Sequence, residues 1–267
     1  MHPRVSVSQI CSWNWSLDQD LAFYRAEGIT TAGLLPMKYA DDLENSVRKI
    51  RAAGLRVAVV SASAGQLVDP PPGAAPPLEV LRPALELAAG FGSPCYITTG
   101  RTPTRMPTDE AYAKLVPALA PLVAYARSKG VRLSLEANSG ATRENGFIHT
   151  LADAIDLGRD TGIEICLELQ NCWIERNLER QFRENVDRFV LVQVSDYKIG
   201  ESTRMNRRVP GDGDIPLEWL MGRVLDAGYK GLFELELLGP KIEEEGYASS
   251  IRRSVDWMSE CLVRLGA

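Results

Sequence analysis

Four short apolar runs in the second half of this 267-residue chain carry carboxylates or amides toward their C-terminal ends: Leu-Ser-Leu-Glu136-Ala-Asn138, Cys-Leu-Glu168-Leu-Gln-Asn171, Val-Gln193-Val-Ser-Asp196 and Leu-Phe-Glu234-Leu-Glu236-Leu. A carboxylate inside an apolar run is costly to bury unless it is paired or coordinates a metal. Glu136, Glu168 and Glu236 therefore stand out as oxygen donors of the kind a hard divalent cation such as Mg²⁺ or Mn²⁺ prefers. Gln193 would add a neutral carbonyl oxygen to the same set. The alternative for each glutamate is separate pairing with an arginine or a backbone amide. Glu234 is read as facing away from this set, toward the helix layer, in a structural role.

For these side chains to meet, their runs must lie side by side. Eight β-branched runs recur along the chain: Val5 to Ile10, Ile29 to Leu35, Leu55 to Ser61, Cys95 to Thr99, Val131 to Glu136, Ile163 to Glu168, Phe189 to Val194 and Leu232 to Leu237. Between them lie stretches with helical spacing of apolar residues: Asp18 to Ala26, Asp41 to Ala53, Leu78 to Ala89, Asp109 to Lys129, Thr150 to Thr161, Leu178 to Asn185 and Leu217 to Ala227. Several of these end at a glycine (Gly28, Gly54, Gly130, Gly228), the usual left-handed stop. Apolar strands alternating with helices imply a parallel sheet covered by helices, and eight units of roughly 30 residues match a (β/α)8 TIM barrel in an α/β class. An open doubly wound sheet is the runner-up, but the first strand leads into Cys-Ser-Trp-Asn-Trp and not a G-x-G-x-x-G turn. Without an internal repeat or a domain-sized linker, one domain over residues 1–267 is expected. The Pro-rich stretch 69–77 reads as a stiff loop after the third strand. In a barrel of this kind the chemistry belongs at the C-terminal ends of the strands.

Composition narrows the chemistry further. There are only two histidines, His2 and His149, so a cluster of imidazoles such as a three-zinc hydrolase site is excluded and acid-base work falls to carboxylates. Thirty basic against thirty-five acidic residues, without a long basic run, argue against nucleic-acid or membrane partners. Five scattered cysteines form no C-x-x-C pair, and the N-terminus lacks an apolar leader; both fit a cytoplasmic, reducing setting.

Supporting groups are placed by the same reasoning. Arg207 or Arg208, ahead of Val-Pro-Gly-Asp-Gly-Asp, would neutralise an anionic or enolate oxygen, or else form a solvated pair on a loop. Asp196 would orient a metal-bound water or a ligand, and Lys198, like Asn138, would contact substrate. Trp13, Trp15 and Trp173 would wall a ring, packing being the alternative. His149 is read as a residue at a helix start. Gly211-Asp-Gly-Asp214 makes a poor phosphate cradle because its acidic residues would repel the anion.

Taken in order, these strand ends resemble the xylose-isomerase-like barrel superfamily of sugar-phosphate isomerases and epimerases, over nearly the whole chain. That family's pattern has a Glu ending strand five, an acidic residue ending strand six, an H-x-x-D on strand seven, an arginine and G-x-G loop beyond it, and a Glu on strand eight after G-Y-x-G. This chain offers Glu136, Glu168, Gln193-Val-Ser-Asp196, Arg207 or Arg208 before Gly211-Asp-Gly213, and Gly228-Tyr-Lys-Gly231 leading to Glu236. It departs from the pattern where Gln193 replaces the metal-binding His, Glu168 replaces an Asp, and Asn171 stands for a His. The resemblance implies a Mn²⁺ or Mg²⁺ site of Glu136, Glu168, Gln193 and Glu236. It also implies proton abstraction beside the carbonyl of a small polyhydroxylated substrate, with Glu136 and Glu236 as the base and acid pair. A lyase or dehydratase on the same scaffold is the alternative reaction, and a non-catalytic or partner-dependent barrel that has lost its metal histidine is the alternative class. Related barrels associate as dimers or tetramers, so a homo-oligomer is expected, with residues 237–247 as a loop that lids the pocket or meets a second subunit.

Overall fold

A computed structural model describes residues 1–101, 105–138, 143–201 and 205–267. Eight strands, β1 (Val5–Ser8), β2 (Thr31–Leu34), β3 (Arg56–Ser61), β4 (Cys95–Ile97), β5 (Leu133–Glu136), β6 (Glu164–Glu168), β7 (Phe189–Val194) and β8 (Phe233–Leu235), pair in parallel in chain order. β8 pairs back onto β1, with Val5 opposite Phe233 and Ser6 opposite Glu234, so the sheet closes into a barrel. The helices are α1 (Leu17–Glu27), α2 (Leu43–Ala52), α3 (Pro77–Phe91), α4 (Thr108–Ser128), α5 (Leu151–Thr161), α6 (Leu169–Cys172), α7 (Leu178–Asn185), α8 (Leu217–Asp226), α9 (Pro240–Glu245) and α10 (Tyr247–Arg264). The expected (β/α)8 architecture is the one observed.

Local chemistry explains the element ends. Ser16 and Gln19 form a reciprocal capping box at the start of α1, satisfying N–H groups that helix geometry leaves unpaired. All four glycines expected to stop a helix take a positive φ, as at Gly28 with φ 65°. Three helices lie beyond the sequence reading. α6 is a single turn after β6. α9 forms within the expected loop 237–247, with Pro240 at its first turn. α10 buries Ile251, Val255, Met258 and Leu262, an apolar stripe at i, i+4, i+7 and i+11.

Most of the apolar core lies between the strands and the helices, where Val5, Leu34, Val60, Ile97 and Leu135 meet residues such as Leu81, Leu115, Leu119 and Leu122. A smaller apolar cluster with Val59, Tyr96, Cys166 and Leu191 lies apart from it. On the same face of their strands, two residues further on, stand Glu168 after Cys166 and Gln193 after Leu191. The barrel interior thus changes from apolar to polar toward the C-terminal ends of its strands. Among the described residues no helix is long and apolar enough to cross a membrane.

Candidate active site

The registers bring the glutamates together. Glu136 ends β5, Glu168 ends β6 opposite Gln193 of β7, and Glu236 follows β8 directly. All three are buried, at 6%, 2% and 4% exposure. The cation that Glu168 and Glu236 meet is Arg207, itself buried. Its Nη1 donates to Glu168 Oε2 at 2.6 Å, the Glu236 carbonyl at 2.9 Å, Glu236 Oε2 at 3.1 Å and Ser195 Oγ at 3.1 Å. Separate pairing of each glutamate is thereby replaced by sharing: one guanidinium bridges β6 and β8. Glu136 stands apart from that bridge, its Oε1 accepting from the side-chain amides of Asn138 at 3.2 Å and Asn171 at 3.1 Å. Glu168 Oε1 accepts the Gln170 N–H at 3.0 Å, and Ser195 Oγ donates to Gln170 Oε1 at 2.7 Å.

Arg207 reaches the strand ends from a loop that Asp196 organises. The Asp196 backbone pairs with Arg208, and its buried carboxylate accepts N–H groups from Tyr197, Gly211, Gly213 and Ile215 at 2.8 to 3.1 Å. A Cβ at Gly213 would fall 2.1 Å from Asp196 Oδ1, which is why a glycine is needed there. The Arg207 N–H is fixed to the Leu238 carbonyl at 3.0 Å. Asp196 is therefore a loop anchor, in place of the ligand-orienting role expected of it, and the loop amides are aimed at Asp196.

Burial of Glu136 and Glu236 near one guanidinium shows in their acidity. Desolvation pushes Glu136 up to about 7, with Arg207 opposing it and Glu168 adding repulsion. Glu236 is raised well above the ordinary carboxylate range, again by burial first and then by Glu136 and Glu168, against the pull of Arg207. For Arg207 burial disfavours the charge, but Glu168, Glu236 and Glu136 together outweigh it and hold the guanidinium protonated. Its Nη2 and Nε hydrogen-bond to no other described residue.

Several expected site residues lie elsewhere. The Gln193 amide is committed at both ends, accepting from Cys166 Sγ at 3.2 Å and donating to Glu234 Oε2 at 3.3 Å, so it does not join the three glutamates as a ligand. Glu234 does not face the helices. Residues two apart on a strand share a face, so it points inward like Glu236, bonded to Ser6 and Gln193 in space that Gly33 leaves open; a Cβ there would lie 2.1 Å from Glu234 Oε1. Lys198 is exposed and paired with Asp214 at 2.8 Å, outside the cluster. Arg208 is turned to Glu201 and to Asn206 Oδ1, away from the glutamates. Trp13 is exposed at 43%, while Trp173 is half-buried against the core. Asn138 touches Glu136 and supports it, and its carbonyl holds His149 Nδ1 at 2.8 Å, just ahead of α5. The sequence reading missed Ser195, whose Oγ joins the oxygens around the arginine, and Gln170, which accepts the Ser195 proton. Their positions, immediately after β7 and two residues past Glu168, were the available signal.

The donor set can be tested against the divalent ion that the fold implies. Among the described residues, no three His, Cys, Asp or Glu side chains are arranged as ligands. The chemistry of the set nevertheless fits: Glu136, Glu168 and Glu236 are all-oxygen donors that carry three negative charges when ionised, and Arg207 supplies one positive charge, leaving a deficit of two. Glu136, Glu168 and Glu236 would hold such an ion.

A parallel eight-stranded barrel with acidic residues at the ends of β5, β6 and β8 defines a class, and sequence comparison places this chain in it. Residues 21–261 match the family model described as xylose isomerase-like TIM barrel, and the chain belongs to that family. Solved structures share the fold: protein SMc04130 from Sinorhizobium meliloti 1021 superposes with a TM-score of 0.87 at 20% identity, over 97% of this chain and 98% of that one. The IolI protein, solved with a zinc atom, gives 0.83 at 15% identity over 98% and 99%. An L-ribulose 3-epimerase gives 0.80 at 18% identity over 99% and 96%. Among curated proteins none matches this sequence.

Proposed function

We propose that the protein is an isomerase or epimerase that moves a proton beside the carbonyl of a small, polyhydroxylated, sugar-like substrate. The observation that carries this reading is the pair of buried glutamates at the end of β5 and just after β8, both with raised pKa and both under the charge of the buried Arg207 guanidinium. Glu136, poised near neutrality, takes the proton from the carbon next to the carbonyl. The electrons of that C–H bond become the enediolate, and Arg207 faces the charge that gathers on its oxygen. Glu236, whose carboxyl burial raises well above the ordinary carboxylate range, returns a proton. Return to the same carbon from the opposite side inverts its configuration, and return to the neighbouring carbon exchanges aldose and ketose.

A divalent ion, Mn²⁺ or Mg²⁺, held by Glu136, Glu168 and Glu236, would add Lewis-acid charge at the substrate oxygens. The five cysteines, all buried and unpaired, support a reducing, cytoplasmic setting. The test is incubation with a panel of neutral ketoses and aldoses in D2O. A product of unchanged composition with one deuterium at the carbon beside the carbonyl is expected, and Glu136→Gln and Glu236→Gln should each abolish its formation. A product that has lost water, or full exchange by both variants, would overturn the reading.

A further inference from the structure

The Arg207 Nη1 atom carries two hydrogens but has four oxygens around it, from Glu168, Ser195 and both the carboxylate and carbonyl of Glu236, all at 2.6 to 3.1 Å. Two N–H bonds cannot serve four acceptors well, because each hydrogen must point along its own line to one oxygen. A spherical cation has no such limit. Ser195 Oγ spends its own proton on Gln170, so its lone pairs are what it offers to the shared point. The guanidinium is thus seated where the oxygens would suit a small ion better than a forked, planar donor.

We propose that Arg207 is a displaceable occupant of this seat: a divalent ion competes with its Nη1 for the Glu168 and Glu236 oxygens, and binding of the ion releases the guanidinium toward the mouth of the barrel. The inference rests on the reading of Glu136, Glu168 and Glu236 as one cluster, and adds a regulation of it. Charge balance favours the exchange. When all three carboxylates are ionised, they and the one guanidinium leave two negative charges, which a doubly charged ion cancels with Arg207 still nearby. The backbone need not move, since the Arg207 N–H is tied to Leu238 and the neighbouring Arg208 to Asp196. Only the side chain swings, and its Nε and Nη2 hold no bond to another described residue that would have to break. In the ion-free protein Arg207 keeps the buried carboxylates from facing one another unscreened, and in the loaded protein it becomes a donor for substrate oxygen.

Competition makes a prediction opposite to that of a cooperating ligand. Mn²⁺ titrations followed by electron paramagnetic resonance should show Arg207→Gln binding the ion at least tenfold more tightly than the wild type, with Arg207→Lys in between. Equal or weaker binding by Arg207→Gln, or no binding by any of the three, would overturn the proposal. A second measurement uses the wild type alone and does not depend on the variants folding. Modification of Arg207 by phenylglyoxal, mapped by mass spectrometry, should become several-fold faster when Mg²⁺ is added, and an unchanged rate would overturn the proposal. Neither readout involves turnover. Competition without deuterium exchange would sink the isomerase reading alone, and exchange without competition would sink this one alone.

Discussion

Replacing Glu234 by glutamine offers a quantitative check on the polar layer inside the barrel. Glu234 is fully buried, with Ser6 and Gln193 as its partners, and burial pushes its carboxyl up to about 8 from an ordinary value of 4.5. The sign follows from comparing the two states. In the unfolded chain the group ionises near 4.5, while in the barrel it stays protonated to about 8. The stability it contributes is thus complete below about 4.5 and is lost as the pH rises to and through 8. At 1.36 kcal/mol per unit, that interval is worth roughly 5 kcal/mol at most. Glutamine has the same shape and does not titrate. Its oxygen can accept from Gln193, and its amide can donate to a Ser6 hydroxyl turned to accept. Urea unfolding of both forms between pH 5 and 9 should show the wild type falling behind Glu234→Gln by about 1.4 kcal/mol per pH unit up to near 8, then running parallel to it. A difference that stays constant across that range would refute the claim that Glu234 is held neutral by burial.

Other consequences are as specific. If Glu136 is the base, kcat/KM should rise with pH through an apparent value near 7, the range to which burial lifts it, and Glu136→Gln should cost on the order of 10²-fold or more; a flat profile from pH 5 to 8 would contradict this. Asp196→Ala strands the N–H groups of Gly211, Gly213 and Ile215, so amide exchange in residues 211–215 should quicken markedly and turnover should fall through misplacement of Arg207. Protection left as in the wild type would show that the loop holds itself. Gly33→Ala drives a methyl group into Glu234 Oε1 and should lower stability by about 1 to 3 kcal/mol, read as a lower urea midpoint.

Much of this architecture was legible because parallel strands buried on both faces leave continuous β-branched runs, and the Phe189–Val194 strand and the Leu178–Asn185 helix match their expected limits. α10 went unread although Ile251, Val255, Met258 and Leu262 repeat at helical spacing, since no strand follows to bracket it. That Glu136, Glu168 and Glu236 stand at or just past the ends of β5, β6 and β8 was legible from the strand ends alone. Arg207 could be named but not placed. Its position depends on a loop folded around Asp196, and such side chain to backbone bonds leave no periodic trace. Glu234 was assigned to the wrong face by treating two residues as one step of the pleat, and Gln193 was misjudged because the buried Glu234 beside it draws its amide away.

The pairing of β1 with β8 gives the molecule a seam, at which the Phe233 N–H meets the Arg4 carbonyl at 2.8 Å. During synthesis on the ribosome, β1 emerges early and presents a bare edge until residues more than two hundred positions later are made. Until that zipper closes, Ser6 has no Glu234 to bond and Cys11 lacks the Leu235 carbonyl it donates to. Glu236, just past β8, therefore reaches its place beside Arg207 only once the strand that closes this seam has been made.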